Sequence, residues 1–268
     1  MPTAATPCVL NGRGIVVMRP AHQADALCAL IEAAGGRALR FPVLEICPAA
    51  DPAAVQAGLV RLMRPGEYDL AIFVSANAVH YTLKALAPHT WPTSVKIAAI
   101  GAATARALAA QGLRVDIAPA RDFTSEALLA LPELQSVRNQ RILILRGAGG
   151  REILRDNLLA RGAQVDYLEV YRRATATTDP SILLEHGRAG AIDAVLIAST
   201  ESLHKLLAII GTLGIALLRT TTWVVGNERT RQLARELGLG GTMVVAADAT
   251  DAAMLDALCA HFATSQPQ

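Results

Sequence analysis

The feature that most restricts the fold of this chain is an internal repeat, offset by 124–127 residues, that covers most of its 268 residues. GIVVMRPAHQADALCALIEAAGGRALRFPVLEI aligns with RILILRGAGGREILRDNLLARGAQVDYLEVYRR, placing Arg19 over Arg146 and Gly35 over Gly162. YDLAIFVSANAVHYTLKAL then pairs with IDAVLIASTESLHKLLAII, KIAAIGAATARALAAQGLRV with TTWVVGNERTRQLARELGLG, and RDFTSEALLALP with ADATDAAMLDALC. A period this long describes a duplicated domain, because solenoid repeats run about 20–50 residues. The length also suits two lobes, each burying its own core.

Within each copy, short β-branched runs alternate with amphipathic segments, the pattern of βα units that build parallel sheets. Strands are expected at residues 14–19, 37–46, 70–75, 96–101, 114–119, 141–147, 164–172, 193–199, 222–227 and 243–248, with helices between them. Several are almost wholly apolar, as strands are when helices cover both faces of a sheet. FPVLEICP (41–48) and DYLEVYRR (166–173) mix charges with apolar positions, and Pro42 cannot donate to a ladder, so both are expected to cross between lobes as an edge ribbon.

Composition narrows the function. No apolar run reaches eighteen residues without a charge or turn former, and MPTAATPCVLNGRGIVV lacks an export signal, which predicts a cytoplasmic protein without a membrane span. Cys8, Cys28, Cys47 and Cys259 lie far apart with no CxxC, and are read as separate thiols rather than a disulfide or metal framework. His22, His80, His89, His186, His204 and His261 show no ligand spacing. With a net charge of +2, four Phe, four Tyr and two Trp, the chain has neither a phosphate-tracking stripe nor a stacking platform, so nucleic acid is not an expected partner. All but three of the 25 basic residues are arginine, whose planar fork suits carboxylates.

Helix N-termini at the carboxyl ends of parallel strands offer unpaired N–H groups and a partial positive charge to anions. Candidates are Ser75 and Asn77 in VSANAV, Thr104 in GAATA, and Thr124 with Ser125 ahead of Glu126. The second copy repeats the theme with Ser199 and Thr200, Asn227 and Thr230, and Thr250 with Asp251. Each is also an ordinary N-cap. LRGAGGRE (145–152) is the strongest local signal: Gly147, Gly149 and Gly150 let backbone approach an anion while Arg146 and Arg151 flank the turn. It matches neither the dinucleotide fingerprint nor the phosphate loop, which disfavours a nucleotide-dependent transferase. Glu45 and Glu169, one in each ribbon segment, receive no role.

Taken in order, VMRP, FVSANAV, AIGAATARAL, RGAGGR, VYRR and the closing IAST, VVGN and TRQLA resemble the uroporphyrinogen-III synthase family over nearly the whole chain. The resemblance implies two flavodoxin-like lobes joined by a two-stranded ribbon: a discontinuous first lobe of residues 1–41 and 174–268, with residues 42–173 inserted as the second. It implies a monomeric lyase that needs no cofactor or metal. The substrate is hydroxymethylbilane, a linear octacarboxylate tetrapyrrole, closed into a ring with loss of water and inversion of the last pyrrole, and received by transient hand-over from the preceding deaminase. Tyr171 matches the family's VY tyrosine, implicated in helping the hydroxyl leave. Thr104 and Thr230 match its helix-terminal donors to substrate carboxylates, and Arg19, Ser75, Arg146, Arg151 and Ser199 are placed likewise. GNERTR departs from the pattern, with Glu228, Arg229 and Arg231 where smaller residues are often seen. The non-catalytic alternative is a two-lobed module that closes over an anionic metabolite without changing it.

Overall fold

The computed structural model describes residues 8–121 and 123–264. Along the chain run β1 (Gly14–Val17), α1 (Asp25–Ala33), β2 (Arg37–Arg40), β3 (Leu44–Pro48), α2 (Pro52–Leu62), β4 (Leu70–Phe73), α3 (Ala76–Leu86), β5 (Lys96–Ala99), α4 (Ala102–Ala109), α5 (Ser125–Leu129), α6 (Pro132–Gln135) and β6 (Arg141–Gly147). There follow α7 (Ile153–Ala160), β7 (Gln164–Thr175), α8 (Pro180–Arg188), β8 (Ala194–Ile197), α9 (Thr200–Leu217), β9 (Thr222–Val225), α10 (Glu228–Glu236), β10 (Met243–Val245) and α11 (Asp251–Thr264). The segments ending at Glu45 and beginning at Ala174 form one compact unit, and Ile46–Arg173 forms the other. Residues 42–45 therefore group with the first unit, and the chain passes between units inside β3 and β7.

The first unit holds a five-stranded parallel sheet in the order β10-β9-β8-β1-β2. Its central strands β1, β8 and β9 are buried on both faces and alternate between two cores. Val16, Val195 and Ile197 point into one with Trp223, while Ile15, Val17 and Leu196 point into the other with Leu27 and Leu258. The second sheet runs β3-β7-β6-β4-β5, with parallel pairing through β7, β6, β4 and β5. Mapped through the repeat, β7-β6-β4-β5 corresponds to β2-β1-β8-β9, the flavodoxin-like order with its two halves exchanged along the chain.

Three expectations need correction. The strand expected at 114–119 shrinks to a single bridge between Ile117 and Ala98, in the place β10 holds in the other unit. The run 37–46 breaks into β2 and β3 because Pro42 has no N–H to give a ladder; its carbonyl accepts instead from the Thr178 hydroxyl. Among the described residues α9 is long and apolar enough to cross a membrane by length and composition. It nevertheless breaks at Gly211 (φ +61°, ψ −166°) and packs Leu203, Leu206 and Ile210 into the first unit's core.

Cys8 and Cys259, read as separate thiols, form a disulfide with a Cα–Cα distance of 5.2 Å, joining positions 251 residues apart. Cys28 and Cys47 remain free, and burial pushes the Cys28 thiol up. Thiol titration of the denatured, unreduced protein should therefore find two groups per chain, rising to four after reduction; four before reduction would mean that the pair is open in solution.

Candidate active site

In the second sheet, β4 and β6 lie side by side but lead onward to opposite sides, β4 to β5 and β6 to β7. The carboxyl ends of such a central pair leave a crevice where α/β proteins bind ligands. A cavity of about 340 Å³ opens there, lined by Ser75 after β4, Ser125 at the start of α5, the turn Arg146–Arg151 after β6, and Tyr167 and Tyr171 of β7. Eight residues singled out in the sequence thus meet in one place: Ser75, Ser125, Arg146, Gly147, Gly149, Gly150, Arg151 and Tyr171. The hydroxyl positions are set by helix starts. Ser75 Oγ accepts from the Ala78 N–H at 3.0 Å and Thr124 Oγ1 from the Ala127 N–H at 3.1 Å, in each case capping a helix that cannot satisfy its own first donors.

Arg146 does not project into solvent but braces its own turn. Only 5% exposed, it donates from Nε to the Gly147 carbonyl at 3.2 Å, from Nη2 to the Gly149 carbonyl and from Nη1 to Glu152 at 3.1 Å. Its guanidinium also lies 4.5 Å above the Tyr167 ring. Gly150, at φ +110°, leaves the room this needs: a Cβ there would sit 2.7 Å from Arg146 Nη2. The turn's Gly149 N–H is taken by Glu169, a residue to which the sequence assigned no role.

Tyr171 is re-aimed by a bulge. Val165 and Tyr167 pack into the core on one face of the sheet, and alternation would send Tyr171 after them. The β6–β7 register slips between Arg146 and Gly147, so that Gly147 faces Tyr171, and both Val170 and Tyr171 join the opposite core. There the phenol stacks on Tyr81 with centroids 6.0 Å apart, and its oxygen lies 3.1 Å from Ser75 Oγ. Gly147 must be glycine for this: a Cβ would lie 2.5 Å from the Tyr171 ring. On the α2 side of β7 a second cavity of about 640 Å³, lined by Ala54, Gly58, Arg61, Tyr68 and Asp166, also reaches Tyr171.

The remaining candidates lie elsewhere. Asn77 is in the first turn of α3, and Thr104 is buried inside α4. Arg19, Ser199 and Thr230 belong to the first unit, at the carboxyl ends of its strands. Arg19 is engaged by Asp251 at 2.7 Å and by the Ala249 carbonyl at 2.6 Å. Ser199 caps α9 through the Ser202 N–H. The buried Thr230 donates its hydroxyl to Asn227 Oδ1 at 3.0 Å, the same oxygen that caps α10, and Glu228 holds Arg231 at 2.5 Å.

The sequence did not point to Tyr167, whose hydroxyl donates to Glu152 Oε2 at 2.7 Å. Its four-residue spacing from Tyr171 was the available signal, and the bulge makes that signal misleading. Burial, and then the hydrogen bond to Glu152, push the Tyr167 phenol up to about 12; the same bond holds the Glu152 carboxyl below its ordinary value.

Fold and site together define a two-unit α/β protein whose inserted unit presents hydroxyls, arginines and two phenols at the switch point of a parallel sheet. Comparison with known proteins is more specific. The family model described as uroporphyrinogen-III synthase HemD matches residues 25–256. The chain is 35% identical over 248 residues to uroporphyrinogen-III synthase of Escherichia coli K12, spanning 91% of this chain and 99% of that one. It is 34% identical over 249 residues to the Salmonella typhimurium protein of the same name, again covering 91% and 99%. Among solved structures, a mutant uroporphyrinogen III synthase from Thermus thermophilus superposes with a TM-score of 0.59 at 21% identity, covering 95% of this chain and 100% of that one. The Helicobacter pylori enzyme gives 0.58 at 15% identity, covering 95% and 99%. The chain belongs to the uroporphyrinogen-III synthase family.

Tyrosinate absorbance during alkaline titration should show Tyr167 ionising near 12 instead of its ordinary 10, a component absent from Tyr167→Phe. The folded state holds this proton more tightly than the unfolded chain. The contribution to stability is therefore complete below pH 10 and disappears as pH rises through about 12. Glu152 acts in the opposite direction: its contribution is present above the unfolded carboxyl value and is lost as acid protonates it. A Tyr167 that titrates at the ordinary value would mean that neither its burial nor the contact with Glu152 persists in solution.

Proposed function

We propose that the chain is a cofactor-independent lyase that converts hydroxymethylbilane into uroporphyrinogen III, losing water, closing the ring and inverting the last pyrrole. The observation that carries this reading is the Tyr171 phenol, 3.1 Å from Ser75 Oγ and beside the Arg146–Arg151 turn, in a cavity at the carboxyl ends of β4 and β6. The pyrrole nitrogen supplies the electron pair that expels the terminal hydroxyl. Tyr171 gives that hydroxyl a proton, so that it leaves as water, and the Ser75 hydroxyl stabilises the phenolate left behind. The freed methylene carbon joins the substituted α-carbon of the last pyrrole, the bond from that carbon to its old bridge breaks, and the released bridge carbon closes on the ring's other α-carbon, whose lost proton returns to the Tyr171 phenolate; the protein's main contribution is to hold these ends in reacting geometry. Ser125 and Arg151 serve as carboxylate contacts, while Arg146 and Gly147 shape the turn that seats Tyr171. A small-molecule substrate of this kind calls on neither nucleic acid nor a membrane surface.

The test is to supply hydroxymethylbilane in situ, oxidise the products and separate uroporphyrin isomers I and III. The wild-type protein should yield isomer III. Tyr171→Phe should keep the fold, because the ring still stacks on Tyr81 and covers Gly147, yet slow closure roughly a hundredfold, at the lower end of what a positioned general acid contributes. Isomer I alone from well-folded wild-type protein would overturn the activity, and an unimpaired Tyr171→Phe would remove the phenol from it.

A further inference from the structure

Each unit sets a carboxylate in the first turn of a threonine-capped helix and aims it at one of that unit's candidate arginines. In the second unit Thr124 caps α5, and Glu126 pairs with Arg151. In the first, Thr250 Oγ1 accepts from the Ala253 N–H at 3.3 Å ahead of α11, and Asp251 pairs with Arg19. The repeat lays Thr124 over Thr250, so the device occurs twice, with the carboxylate displaced by one position.

The two pairs differ in exposure, and exposure decides what they can do. The Arg19 and Asp251 side chains are 24% and 28% exposed, and Arg19 is also held by a backbone carbonyl, so this pair is a brace. The Arg151 and Glu126 side chains are 68% and 48% exposed, in the range where an ion pair contributes little and exchanges readily with water or another anion. Arg151 lines the cavity beside Ser125, whereas the N–H groups of Arg146 are committed to its own turn. The Glu126 carboxyl is held below its ordinary value by its own backbone N–H and by Arg151, and so stays charged at neutral pH.

We infer that Glu126 is an internal counter-carboxylate: it occupies Arg151 while the site is empty and yields it to a carboxylate of the polyanionic ligand, thereby setting the affinity of the site. The inference rests on the proposed function, which makes Arg151 a substrate contact. Because the exchange is the same for every carboxylate-bearing state of the ligand, it weakens substrate and product alike, and its signature is in binding rather than in the chemical barrier.

The experiment uses uroporphyrin III, a stable octacarboxylate, and measures its binding to the full-length protein by fluorescence at low and physiological salt. The variants are Glu126→Gln, Arg151→Gln and the double variant, each checked by thermal unfolding. Glu126→Gln should tighten binding roughly two- to fivefold at low salt, with a smaller gain as salt rises. Arg151→Gln should weaken binding, and adding Glu126→Gln to it should change nothing further. A Glu126→Gln variant that binds no tighter while Arg151→Gln binds more weakly would sink the inference and leave Arg151 as a ligand contact. Tightening that persists without Arg151 would mean a general charge effect and overturn it as well. Unchanged binding by Arg151→Gln would remove Arg151 from the site, and the inference with it. The isomer assay on the same variants reports the proposed activity separately.

Discussion

A guanidinium can be buried only where its N–H groups meet acceptors, because the cost of removing it from water is otherwise several kcal/mol. Arg146 meets this condition by folding the glycine turn after β6 around itself, taking two carbonyls of that turn and the Glu152 carboxylate, with the Tyr167 ring against its face. The rest of the site depends on this closure. It fixes where Gly147 lies, Gly147 leaves room for the Tyr171 ring, and the ring's hydroxyl is thereby delivered to Ser75. A residue that reads as a ligand contact in the sequence is, in the folded chain, the element that makes the turn rigid.

Around this turn the sheet supplies direction. Parallel strands bring all their carboxyl ends to one edge, and every helix that follows must satisfy its first N–H groups there. Ser75, Thr124, Ser199 and Asn227 each do so with a side-chain oxygen. The same edge that needs caps for folding is therefore rich in hydroxyls and positive partial charge for binding an anion. Charge is balanced locally as well: Asp251 against Arg19, Glu152 against Arg146 and Glu126 against Arg151.

What could be read in advance follows from the range of the forces involved. The buried central strands were legible because both faces of β1, β4, β6 and β8 are apolar, and the caps because a Ser, Thr or Asn before an apolar helix has a local meaning. The strand at 114–119 was over-read because its apolar residues pack beside β5 through one bridge without extending a ladder. The Cys8–Cys259 pair was invisible because 251 residues separate partners that only the packing of α11 brings together.

By itself, the sequence determined the α/β class, the duplication and seven of the eight residues that converge at the end of the second sheet, since repeats, periodicity, glycine turns and caps are encoded within short windows; Tyr171 was marked by the family resemblance alone. The tertiary structure alone decided what those residues do there. The bulge that turns Tyr171 from one core to the other, the inward commitment of Arg146, and the pairing of Arg151 with Glu126 all depend on register and burial between segments distant in the chain. One slipped residue in a ladder exchanges the faces of a strand, and no local pattern records the slip.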